Sequence, residues 1–151
     1  MFEKRTLMAT VAAFVVMFLL GWLLWGFLFM DTLSGMANPA LAQFYEAPPN
    51  MPVLALSQLI MAWAMAVIFL KGYEGGPGVS EGMRFGLWVW ILVGIPMGLG
   101  YVAFEMSGWS QMALESVLSL ISYVAGGITI GMVLGGKGPA SSMEHTHTTE
   151  V

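Results

Sequence analysis

Four long apolar stretches alternate with polar or glycine-rich connections along this chain. The stretches cover residues 7–30, 53–70, 85–104 and 114–134. A helix needs about 17 to 25 mainly apolar residues to cross a hydrocarbon core of about 30 Å, so each stretch is long enough. The pattern therefore predicts an all-α membrane protein with four transmembrane helices, for which the lipid bilayer is the first partner.

The fourth stretch has two sides of different character when it is drawn as a helix. One side carries bulky apolar residues such as Val117, Ile121 and Ile128, which suit lipid. The other side carries small or hydroxyl-bearing residues, namely Ser116, Ser119, Tyr123, Gly126, Gly127 and Gly131. Small residues let two helix backbones approach closely, so this side is predicted to face a neighbouring helix.

Small residues at four-residue spacing predict where the helices pack against one another. The second stretch offers Ala62 and Ala66, and the third offers Gly94 and Gly98. Pro96 lies between these two glycines and is expected to bend the helix, because it cannot donate a backbone hydrogen bond. The residues predicted for helix packing are Gly94, Gly98, Ser119, Gly127, Gly131 and Gly135.

The first two connections carry local signals of their own. In residues 31–50, Asn38 is suited to cap a helix that starts at Pro39, which predicts a short helix lying on the membrane surface. Residues 71–84 are rich in glycine but lack the lysine followed by serine or threonine of a phosphate loop. They are predicted to form a flexible turn that ends at a Ser80 cap.

The basic residues indicate the orientation of the chain in the membrane. All five lie before the first stretch, in the second connection or after the fourth stretch: Lys4, Arg5, Lys71, Arg84 and Lys137. Because cytoplasmic segments carry an excess of lysine and arginine, both termini are predicted to be cytoplasmic. Residues 1–136 then form the transmembrane domain, and residues 137–151 form a polar, mobile cytoplasmic tail.

Composition excludes several classes of function. With 58% hydrophobic and 9% charged residues, the chain is too apolar for a soluble domain, in which about a quarter of the residues are charged. It has no cysteine, and both histidines, His145 and His147, lie in the polar tail, so no cofactor and no metal site is predicted. The net charge of −4 forms no basic patch, so nucleic acid is not an expected partner.

Two carboxylates beside the third connection are the candidate chemical groups. Helical geometry places Glu105 on one face with Gly94, Gly98 and Tyr101, and places Glu115 on one face with Ser119, Ser122 and Gly126. If the third and fourth helices are antiparallel neighbours, the two carboxylates could share a proton or hold a cation, which would make a transport or proton site. In the competing interpretation, both are solvated at the membrane surface.

Two segments carry a resemblance to known proteins: FLLGWLLWGFLFMD in the first stretch, and IFLKGYEG with GVSEGMRFGL around the second connection. They resemble a group of small bacterial inner-membrane proteins that are catalogued as domains of unknown function. The resemblance implies a multi-pass protein of the bacterial inner, or cytoplasmic, membrane. It implies no activity and no catalytic residue.

The sequence favours a non-enzymatic integral membrane protein over the other classes. Its small-residue helix faces are typical of a scaffold or an accessory subunit, either in a homo-oligomer or in a larger membrane complex. The alternative is a small-solute or ion permease that uses the carboxylates of the outer side. A membrane enzyme is the weakest hypothesis, because the membrane-embedded parts offer no nucleophile, base or metal ligand set.

Overall fold

The computed structural model describes residues 4–39 and 49–135, and within these ranges the secondary structure is helical without strands. The helices are α1 Lys4–Leu23, α2 Met30–Met36, α3 Met51–Gly72, α4 Gly78–Val89, α5 Ile95–Ala103 and α6 Trp109–Leu134. Two π-helical turns, Leu24–Leu28 and Trp90–Gly94, interrupt the first and the third span.

Four helices in the described part of the chain are long and apolar enough to cross a membrane, which confirms the predicted all-α architecture with four such spans. Their bounds are Lys4–Leu28, Met51–Gly72, Gly78–Ala103 and Trp109–Leu134. The predicted surface helix after Asn38 and the predicted tail at residues 137–151 lie outside the described residues.

The third and fourth helices begin earlier than the sequence pattern indicated. The third starts at Gly78 rather than Phe85, and the expectation that Ser80 caps it is wrong. Pro77 is the residue before the helix, and the Ser80 hydroxyl donates a hydrogen bond to the Pro77 carbonyl over 3.0 Å. The fourth starts at Trp109 rather than at residue 114. Glycine-rich and polar residues therefore continue as helix where tertiary packing supports them.

Helix α6 lies at the centre of the molecule, with α1 on one side and α4 on the other. Helix α3 packs mainly against α1. The Arg5 guanidinium donates a 3.0 Å hydrogen bond to the Val133 carbonyl, so the start of α1 meets the end of α6. A cation also suits the negative end of a helix dipole. This end of the molecule, which carries Lys4, Arg5, Lys71 and Arg84, is called the basic end below.

The core between α1, α3 and α6 is built mainly from small residues and methionine. Ala13, Ala62 and Ala66 are fully buried, and Met17 and Met65 fill the space beside them. Alanine lets neighbouring helix backbones approach, while the unbranched methionine side chain fits irregular gaps. The predicted small positions of the second span, Ala62 and Ala66, therefore lie in the core.

Candidate functional site: an intramembrane cavity

In the basic-end half of the molecule, the backbones of α4 and α6 are in direct contact and leave no space between them. A side-chain Cβ atom built on Gly82 would overlap the carbonyl oxygen of Gly127, and one built on Gly127 would overlap the carbonyl oxygen of Gly82. The same mutual contact joins Gly78 and Gly131. We call this surface the glycine seam, formed by Gly78, Gly82 and Gly86 of α4 and by Gly127, Gly131 and Gly135 beside them on the last span.

The other predicted packing residues lie beyond the seam, in the opposite half of the molecule. A Cβ atom on Gly94 would lie 2.7 Å from the Trp90 ring and 3.3 Å from the Ser119 hydroxyl oxygen. A Cβ atom on Gly98 would lie 3.2 Å from Met112. Gly94 and Gly98 therefore contact side chains rather than another backbone, and the helices are farther apart here than at the seam.

Each π-helical turn lies beside a tryptophan that covers a glycine four residues later. In the third span the Ile95 amide bonds to the Trp90 carbonyl, the five-residue step of a π turn, directly before Pro96. The Trp90 indole packs on Gly94 and donates a 2.8 Å hydrogen bond to the Ser116 carbonyl. The first span repeats the arrangement with Trp22 and Gly26, whose added Cβ atom would lie 3.5 Å from the Trp22 ring. Such turns occur frequently at functional sites.

The two π turns border a partly open cavity of about 840 Å³ that residues from all four spans line. Its apolar wall is aromatic and rich in methionine. Its polar wall is supplied mainly by one face of α6, which carries Glu115, Ser116, Ser119, Ser122 and Tyr123. Gln58 of α3 and Tyr101 of α5 add polar groups. The size and the mixed lining are typical of a small-molecule site.

The cavity lies between α3 and α5, which have no extensive contact with each other. Leu54 and Gln58 lie on the α3 side, and Met97 and Tyr101 lie on the α5 side. Elsewhere, α1 contacts α3 and α6, and α4 contacts α6 along the seam. The side of the cavity between α3 and α5 is therefore its most open side.

Two buried polar side chains on α6 stand out around the cavity. Gln111 is 3% exposed and donates a 3.0 Å hydrogen bond from Nε2 to the Glu115 carboxylate. Ser122 is 8% exposed, and its hydroxyl has no hydrogen-bond partner among the described residues. Buried hydroxyl groups are usually paired, because an unpaired one loses its bonds to water without replacement. Ser122 therefore carries an unpaired hydroxyl that is buried in the wall beside the cavity.

The two glutamates that the sequence singled out occupy different surroundings. Glu115 lines the cavity, whereas Glu105 is exposed in the turn after α5 and is not among the lining residues. Glu105 has a left-handed backbone with φ of 56°, and its carbonyl accepts a 2.8 Å hydrogen bond from Asn38. The backbone of Glu105 thus joins two connections, while its side chain takes no part in lining the cavity.

Some residues of this site were not singled out from the sequence. Gln58 and the neighbouring Ser57 form a polar pair within the second apolar stretch, and Gln58 could have been noticed for that reason. Trp22 and Trp90 precede Gly26 and Gly94 at the same spacing, a repeat that could have marked the π turns. The glycines of α4 follow the same four-residue spacing as those of α6, which was the available signal for the seam.

Comparisons with protein families, with curated proteins and with solved structures found no match for this chain.

Proposed function

We propose that this chain is a non-enzymatic integral membrane protein that acts as a scaffold or an accessory subunit. The glycine seam is the observation that supports this proposal best, because mutual backbone contact makes the centre of the molecule rigid and closes its basic-end half. Helices α3 and α5 have large lipid-facing surfaces that can receive further copies of the chain or another membrane protein. The proposed setting is a homo-oligomer or a larger membrane complex.

The proposed location is the bacterial inner membrane, with both termini in the cytoplasm and a short surface helix after Asn38. The bond between Arg5 and Val133 supports this topology, because it brings the start of the first span and the end of the last to one side. The positive-inside rule then assigns the basic end to the cytoplasm. The cavity lies toward the opposite, periplasmic side.

This topology predicts opposite responses from two reporter fusions. A reporter that is active only in the periplasm should be active when fused after Ala47 and inactive when fused after Gly76, since one membrane span separates the two sites. A cytoplasmic reporter should give the reverse result. Equal activity at the two positions would contradict the proposed topology.

A small-solute or ion permease is the second candidate, and the cavity with its Glu115 carboxylate favours it specifically. A permease needs a path that continues through the basic-end half. There the seam leaves no room even for a methyl group between α4 and α6. Because transport would require these backbones to separate, the scaffold remains the better-supported proposal.

The scaffold and the permease proposals predict different ion fluxes when the purified protein is placed in liposomes. We expect potassium and proton flux equal to that of empty vesicles, because the seam blocks the path. We also expect the double variant Glu105→Gln, Glu115→Gln to fold and assemble, since the amide of glutamine at 115 can still accept the bond from Gln111. Reproducible flux that this double substitution abolishes would contradict the scaffold and support the permease.

A further inference from the structure

We propose that the cavity binds a lipophilic organic cation, with the positive charge of the ligand beside the Glu115 carboxylate. This inference adds a ligand site to the proposed scaffold and depends on the cavity alone. Glu115 is the only charged side chain among the described residues that line the cavity. A carboxylate in a partly apolar, membrane-embedded cavity attracts a cation more strongly than it would in water, because the surroundings screen the charge less.

The structure holds this carboxylate in a defined place. The buried Gln111 amide lies one helical turn before Glu115 and donates to its Oε1 atom over 3.0 Å. A hydrogen bond from a buried donor fixes the carboxylate side chain in one orientation. Glu115 can therefore present a preorganised carboxylate group to a ligand.

The rest of the lining suits a bulky apolar cation. Trp22, Trp25 and Tyr101 supply aromatic rings, whose faces attract a positive charge. Met97 and Met112 supply flexible, polarisable side chains that adapt to an irregular apolar body. The volume of about 840 Å³ is sufficient for a molecule with several rings.

The polar wall of the cavity continues along α6 beyond Glu115. Glu115, Ser119 and Ser122 follow one face of α6, so the polar wall runs about 10 Å along the helix. The Ser122 hydroxyl at its deep end is buried and has no partner among the described residues. This hydroxyl is inaccessible even to a water-sized molecule, so recognition of the ligand depends on Glu115 and the aromatic rings.

Access to the cavity is compatible with a ligand that partitions into the membrane surface. Helices α3 and α5 form opposite walls without extensive contact between them, so a molecule can enter from that side. Gly21 of α1 also lines the cavity, and no atom lies within 4 Å of where its Cβ would be. A larger side chain introduced at Gly21 can therefore occupy part of the cavity.

The test uses the full chain in lipid nanodiscs and tetraphenylphosphonium as the probe, with binding followed by tryptophan fluorescence and by calorimetry. The wild-type chain should bind the probe saturably. Glu115→Gln should weaken binding by about tenfold or more through loss of the charge, while it keeps an acceptor for Gln111. Glu105→Gln is the matched control at an exposed carboxylate and should bind like the wild type.

A second pair of variants tests the same cavity by changing its free volume instead of its charge. Gly21→Phe should abolish binding by filling the cavity, whereas Gly100→Phe, at a helix position with equal free space away from the cavity, should not. Thermal unfolding and circular dichroism check that each variant is folded. The proposal is overturned if the wild type does not bind, if Glu115→Gln binds equally well, or if uncharged triphenylphosphine oxide binds as tightly as the cation.

Discussion

Replacement of Gly82 by alanine is expected to cause one of the largest losses of stability that a single added methyl group can produce in this protein. The new Cβ atom would overlap the Gly127 carbonyl oxygen, and would lie 2.9 Å from its carbonyl carbon and 3.0 Å from the Ile128 Cα atom. These are backbone atoms that cannot rotate away, so α4 and α6 must separate. We expect the free energy of unfolding to fall by about 2–3 kcal/mol, as measured by denaturation in detergent micelles.

Matched variants separate the seam from a general intolerance of helix glycines. Gly100→Ala adds the same methyl group where no atom lies within 4 Å, and should be neutral or stabilise the helix by up to about 1 kcal/mol. On α6, Gly127→Leu should disrupt folding, whereas Ile128→Leu should be tolerated, since only the glycine meets a backbone. If Gly82→Ala and Gly100→Ala lowered the free energy of unfolding equally, the close backbone contact at the glycine seam would be contradicted.

The sequence was sufficient to predict the four spans, because the bilayer imposes a minimum length of apolar helix that is visible in the pattern. It was not sufficient to find the start of the third helix. Gly78 and Gly82 have low helix propensity, and Glu81 and Arg84 lower the local hydrophobicity, so these residues resembled a connection. Their helical conformation depends on α6, a partner far away in sequence.

For the candidate site too, the sequence predicted what depends on helical spacing but not what depends on how the helices pack. Helical spacing correctly grouped Gly94, Gly98 and Tyr101, which all line the cavity. It could not show that the chain leaves the helix before Glu105, whose side chain is exposed in a turn. The grouping of Glu115 with Ser119 and Ser122 also followed from spacing, but the presence of a cavity in front of them depends on how the spans diverge beyond the seam.

The glycine seam closes the basic-end half of the molecule, and the other half contains a cavity that solvent can enter. The chain has no cysteine, so a single introduced thiol reports one position without interference. Ser119→Cys places a thiol on the cavity wall, and Thr10→Cys places one in the basic-end half, where Thr10 of α1 is 5% exposed and does not line the cavity. Both substitutions are small, so the fold should tolerate them.

The decisive measurement is the rate at which a small, membrane-impermeant methanethiosulfonate reagent labels these two cysteines when it is added from the periplasmic side. Ser119→Cys should be labelled readily, because the cavity admits water and reagent, whereas Thr10→Cys should remain unlabelled until the protein is unfolded. Labelling of Thr10→Cys at the same rate as Ser119→Cys would contradict the closed basic-end half, and protection of both would contradict the open cavity.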